Sequence, residues 1–151
     1  MTKVGFIGTG GISGAHLKYL AGRDDVEIAA LCDVDPKNLR ARSDVYGGRT
    51  FADWREMLDQ VELDAVFLCT PPRVRREPLL ACAERGIPVL CEKPVERSVE
   101  AAERIAAELA RRDARVQVGY VFCAMPTVAH LREAMAEDTV DLVQSFYCCN
   151  V

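Results

Sequence analysis

The residues best suited to chemistry stand in three short groups along the 151-residue chain. Gly8, Thr9, Gly10, Gly11, Ile12 and Ser13 close one apolar run and open an amphipathic one. This is the G-x-G-x-x-G/A pattern, with Ser13 in the third small position. Gly8 permits a tight turn, Gly10 lets the backbone approach a pyrophosphate, and Ser13 keeps the next helix near its sheet. Amide hydrogens of the first helical turn would then face the phosphates. Glycine turns are common, and the pattern gains its force from the strand–turn–helix context around it. Asp33 ends the next apolar run, about 20 residues on, where a carboxylate accepts hydrogen bonds from an adenosine ribose. A carboxylate there repels a 2′-phosphate, and Val34 follows rather than an arginine, so NAD is favoured over NADP.

The other two groups follow later apolar runs. Thr70, Pro71 and Pro72 fall on the carboxyl edge, where sheets of this kind bind ligands, although proline after a strand is also ordinary punctuation. Glu92, Lys93 and Pro94 fall on the same edge. A lysine beside a nicotinamide can hold a substrate hydroxyl and favour its deprotonation as hydride leaves. The plainer alternative is a solvated loop lysine. The densest basic cluster, Arg73, Val74, Arg75 and Arg76, reads as a solvated helix face, and His16 and His130 read as helix-surface or packing residues. No Cys-x-x-Cys occurs, and the adjacent Cys148 and Cys149 suit neither zinc nor an easy disulfide, so no metal site is read.

These groups need elements to hold them. Residues 4–8 form a strand, and 12–21 a helix with Ile12, Ala15, Leu17 and Leu20 as its inward stripe. Residues 26–32 are nearly continuously apolar, as in a strand covered on both faces. Pro36 opens a helix capped by Asp35 and stopped by Gly47 and Gly48. A short strand at 49–51 precedes Asp53, which caps a helix with Glu56 at capping-box spacing. Strands at 63–69, 87–91 and 115–119 alternate with helices at 73–85 and from Ser98 to Arg112. Such alternation predicts an α/β fold, a doubly wound parallel sheet of about six strands of the Rossmann type, over residues 1–120. A helix at 126–137 and a strand at 140–150 then read as the start, 121–151, of an incomplete second α+β domain for substrate binding or oligomerisation. That strand carries Leu142, Val143, Phe146 and Tyr147, an apolar edge on which a second copy of the chain could pair.

Composition removes other classes. A net charge of −4 without a basic stretch argues against nucleic acid, and no apolar run reaches the roughly 20 residues of a membrane span. The N-terminal apolar stretch breaks at Gly8, too early for a signal peptide, so a cytoplasmic location is expected. The seven cysteines fit that compartment, with Cys32, Cys69 and Cys91 acting as small hydrophobes at strand ends.

Together these residues resemble the family of glucose–fructose oxidoreductase and inositol dehydrogenase, the Gfo/Idh/MocA family. The matching stretches are 4–14, 32–36, 69–72, 86–94 and 118–120, and the run Val89, Leu90, Cys91, Glu92, Lys93, Pro94 is the most specific. The resemblance implies that Gly8, Thr9, Gly10, Gly11, Ile12 and Ser13 hold the pyrophosphate and Asp33 the adenosine ribose. It implies that Thr70 and Pro71 line the nicotinamide side, that Glu92 contacts the cofactor's ribose region, and that Lys93 is the catalytic lysine ahead of a cis bond to Pro94. The implied activity is NAD-dependent hydride transfer on a secondary alcohol of a small sugar or cyclitol. A non-catalytic NAD(H)-binding module and a non-functional truncated remnant are the competing readings. Three departures stand out. Relatives often carry histidine where Arg75 stands, and commonly an arginine in the segment 121–125, which here holds Cys123. The family's Asp…His pair lies beyond residue 151.

Overall fold

The computed structural model describes residues 1–136. Its element order is β1 (Thr2–Ile7), α1 (Gly11–Leu20), β2 (Val26–Cys32), α2 (Pro36–Tyr46), β3 (Arg49–Phe51) and α3 (Trp54–Gln60). There follow β4 (Ala65–Leu68), α4 (Arg76–Glu84), β5 (Val89–Cys91), α5 (Val99–Ala110), β6 (Val116–Val118) and α6 (Pro126–Met135). The strands form one six-stranded sheet in the order β3-β2-β1-β4-β5-β6, and every pairing is parallel. This is the doubly wound Rossmann-type α/β architecture that the alternating elements predict.

Period-2 alternation along the strands sorts side chains onto two faces. Val4 and Phe6 of β1 and Leu31 of β2 pack with Leu17 and Leu20 of α1, and partly buried Phe67 joins them. Phe6 and Phe67 stack there with ring centroids 4.8 Å apart. Val66 and Leu68 of β4 and Val89 and Cys91 of β5 face the other way, onto Met57 of α3, Leu79 of α4 and Ile105 of α5. Helices thus cover both faces, which is why the central strands are apolar almost throughout. Side-chain caps start three of them, from Asp35 to the Lys37 amide, Asp53 to the Arg55 amide and Ser98 to the Ala101 amide.

Two expectations need correction. The buried stripe of α1 is Ser13, Leu17 and Leu20, while Ile12 is 48% exposed and Ala15 is exposed too. Ser13 can be inward because its hydroxyl donates to the Gly10 carbonyl at 2.6 Å, leaving no buried polar group unpaired. The helix expected over 73–85 begins later. A 3-10 turn at Pro72–Val74 intervenes, and α4 starts at Arg76. Three residues per turn replace 3.6 there, so Arg75 leaves the helical face on which the sequence spacing placed it.

The chain divides into two compact units between Gly119 and Tyr120, and α6 belongs to the second. The strand expected over 140–150 lies outside the described residues. No described helix is long and apolar enough to cross a membrane.

Among the described residues, Cys32, Cys82 and Cys91 are buried thiols, Cys69 is half-buried and Cys123 is exposed. Burial pushes the Cys32, Cys69 and Cys82 thiols up to about 12 from the usual value near 9. The stability gained by burying them as neutral thiols is complete below about pH 9 and is lost as pH rises towards 12. Alkylation at pH 8 followed by peptide mapping should therefore label Cys123 in the native chain and reach Cys32, Cys69, Cys82 and Cys91 only after denaturant is added. Native labelling of those four would contradict this packing.

Candidate functional site

All six strands point their carboxyl ends to one edge, and the strand order reverses between β1 and β4. A crevice opens at such a reversal because the following loops depart in opposite directions. A cleft of about 1010 Å³ lies there, lined by residues that include Gly8, Gly10, Asp33, Thr70 and Pro71.

The glycine loop is shaped by what surrounds it. Gly8 has φ +91°, and a Cβ on it would stand 2.8 Å from the Thr70 amide nitrogen and 2.9 Å from the Cys69 carbonyl carbon. Glycine is required there on both counts. Gly10 is the opposite case, because a Cβ on it would meet nothing within 4 Å. Its open face looks into the cleft, the cradle that a bound phosphate needs. Thr9, 1% exposed, sits beneath the loop and bonds Asp33 Oδ2 through its amide (2.6 Å) and its hydroxyl (3.0 Å). Asp33 Oδ1 accepts from the Asp35 amide at 2.9 Å, and a carboxylate oxygen can accept two such bonds. Acceptor capacity for a hydroxyl therefore remains on Asp33 at the cleft wall.

Thr70 supplies a further polar group. Its hydroxyl is buried and has no hydrogen-bond partner among the described residues. Leaving such a group unsatisfied costs about 1–3 kcal/mol, which a ligand atom placed in the cleft could recover. Gly10, Asp33 and Thr70 thus fit a dinucleotide on the chemistry of their own surroundings.

Glu92 and Lys93 stand at the end of β5, beyond the residues that line this cleft. Glu92 is 5% exposed, with Oε1 against His16 Nε2 at 2.8 Å and Oε2 accepting from the Lys93 amide at 3.2 Å. The Lys93–Pro94 bond is cis. The Lys93 side chain is exposed and has no hydrogen bond or ion pair among the described residues. Gly11 and Ile12 lie exposed at the start of α1, and Ser13 is buried below them.

Three residues acquire roles here that sequence reasoning did not assign. Arg75, read as part of a solvated helix face, is only 3% exposed. Its neighbours differ, since Arg73 is exposed and Arg76 pairs with Glu108 at 2.7 Å. His16 does pack, with its ring 5.4 Å from that of Phe67, and it also holds the Glu92 carboxylate. Its position three residues after Ser13 and four before Leu20 was the available signal for an inward face. Arg42 of α2 reaches over Gly14 to the carbonyls of Thr9 (3.4 Å) and Gly10 (3.3 Å), a long-range contact with no local sequence signature. His130 lies exposed on α6.

A dinucleotide-binding Rossmann domain is the class that this edge and glycine loop define. Residues 2–120 match the Gfo/Idh/MocA family model, described as an oxidoreductase family with an NAD-binding Rossmann fold, and the chain belongs to that family. It is 36% identical over 144 residues to an inositol 2-dehydrogenase of Paracoccus denitrificans, covering 91% of this chain and 42% of that one. It is 30% identical over 132 residues to the rhizopine catabolism protein MocA of Rhizobium meliloti, covering 87% of this chain and 41% of the relative. Among solved structures, the WlbA dehydrogenase of Chromobacterium violaceum, in complex with NADH and UDP-GlcNAcA, aligns with a TM-score of 0.81 at 28% identity. That alignment covers 90% of this chain and 40% of WlbA. The chain therefore spans about two-fifths of the length of these relatives.

The two glycines separate fold from binding. Gly8→Ala is expected to cost about 2 kcal/mol or more, because strain at positive φ adds to a backbone clash. Gly10→Ala should cost less than about 1 kcal/mol, the difference between the two residues as helix caps. Equal losses in thermal or denaturant unfolding would contradict this geometry.

Proposed function

We propose that this chain supplies the cofactor-binding part of an NAD-dependent oxidoreductase acting on a secondary alcohol of a polyol or sugar. The observation that carries the reading is the open face of Gly10, set in one cleft with Asp33 and the unpartnered Thr70 hydroxyl. Gly8, Thr9, Gly10, Gly11, Ile12 and Ser13 would form the pyrophosphate loop, with the first amides of α1 directed at the phosphates. Asp33 would accept from the adenosine ribose hydroxyls and disfavour a 2′-phosphate, making NAD the preferred dinucleotide. Thr70 and Pro71 would border the nicotinamide end, and Glu92 the adjoining ribose.

Bound nicotinamide supplies the hydride acceptor or donor. Lys93 would hold the substrate hydroxyl and stabilise the oxygen as its proton is lost. An exposed ammonium without an internal partner is free to take that role. The named activities of the inositol 2-dehydrogenase and of WlbA support an alcohol on a ring as the substrate class.

Calorimetric titration with NADH and NADPH tests the reading. NADH should bind saturably and tighter than NADPH, and Asp33→Asn should narrow that preference by about tenfold, the equivalent of roughly 1.4 kcal/mol. Gly10→Ala should abolish measurable binding while its circular dichroism stays native. A folded chain that binds neither nucleotide would overturn the proposal.

A further inference from the structure

Arg75 is the buried basic side chain among the described residues, and no carboxylate takes its hydrogen bonds. A guanidinium removed from water must place its donors on other acceptors. Here all of them are backbone carbonyls on two different loops. Nε donates to the Thr70 carbonyl at 2.8 Å, and Nη2 bonds the same oxygen. Nη1 bonds the carbonyls of both Glu92 and Pro94. Arg75 therefore grips the chain on either side of Lys93 and ties it to Thr70 in the loop after β4.

The consequence falls on Lys93. Its side chain has no internal partner, so its reach is set by the direction in which its own backbone launches it. That backbone is held by the two flanking carbonyls on Arg75 and by its amide on Glu92 Oε2, whose other oxygen His16 holds. A planar guanidinium carries five donors in a fixed fork and can serve three carbonyls at once, a geometry that neither an ammonium nor an imidazole reproduces from the same position.

We propose that Arg75 is a positioning residue for Lys93, a buried cross-link between the loops after β4 and β5 that aims the lysine at the nicotinamide end of the site. The aim assigned to Lys93 rests on the function proposed above; the cross-link itself does not.

Reductive 13C-methylation reports each amine separately, and the lysines of this chain are Lys3, Lys18, Lys37 and Lys93. Lys93→Arg identifies the Lys93 signal by its loss. In the unsubstituted chain that signal should shift on saturation with NADH. In Arg75→Gln and Arg75→Lys, each titrated to its own saturation with NADH, most of the Lys93 shift should disappear. The Lys18 and Lys37 signals should stay in place, showing that the fold persists. An unchanged Lys93 shift in both variants would overturn the proposal. A second arm needs no substitution, because the Lys93 amide order parameter of the free chain should lie near 0.85, the rigid-backbone value, and one below about 0.6 would overturn the cross-link even if neither variant folds. If NADH fails to bind the unsubstituted chain, the functional reading and the aim of Lys93 fall together, and the order parameter still decides the cross-link.

Discussion

The approach of Gly8 to the backbone of Cys69 and Thr70 is the constraint on which the site depends. The end of β1 passes so close to the end of β4 that no side chain fits between them. Because the Gly8 amide bonds the Cys32 carbonyl and the Cys69 amide bonds the Ile7 carbonyl, three strand ends are registered to one another at that point. The loops that leave them then have little freedom. Thr9 falls onto the Asp33 carboxylate, Gly10 turns its open face to the cleft, and Thr70 joins the cleft lining with its hydroxyl buried.

Polar burial follows the same edge. Among the described residues, the buried polar or charged side chains are Thr9, Ser13, Arg75 and Glu92, and all belong to the loops, or the helix start, that follow β1, β4 and β5. Desolvating such groups opposes folding unless each is paired. These four are paired, and every pairing ties one loop or turn to another residue of the edge: Thr9 to Asp33, Ser13 to Gly10, Glu92 to His16 and Arg75 to three carbonyls; the buried Thr70 hydroxyl is the exception. Away from this edge the side chains packed on the two faces of the sheet are apolar, with Phe6 against Phe67 on one face and Met57, Leu79 and Ile105 on the other.

The sheet and the glycine loop were legible in the sequence because their signals are local. A glycine needed for backbone reasons, an aspartate cap before Pro36 and apolar runs broken by Gly or Pro each report on their immediate neighbours. Arg75 and His16 were not legible in that sense. Apart from Thr70, five residues before Arg75, their hydrogen-bond partners lie 17 to 76 residues away, so only the sheet order brings them together. Periodicity also misplaced Arg75 and the stripe of α1. The inward stripe of α1 passes through Ser13 rather than Ile12, because a hydroxyl that bonds its own turn can be buried and a larger apolar side chain can be left outside. The 3-10 turn before α4 broke the spacing that made three arginines look equivalent. The pairing of β1 with β4 as well as with β2 likewise depends on the doubly wound topology, which the alternation of elements implies but no single residue encodes.

The most direct test of a dinucleotide site at this strand edge is to titrate the 15N-labelled chain with NADH and map the perturbed amides. Shifts should concentrate at residues 8–13, at Asp33 and Thr70, and at Lys93. Saturable shifts confined to surfaces away from the carboxyl edge, or none at all from a folded chain, would contradict the assignment of this edge as the site.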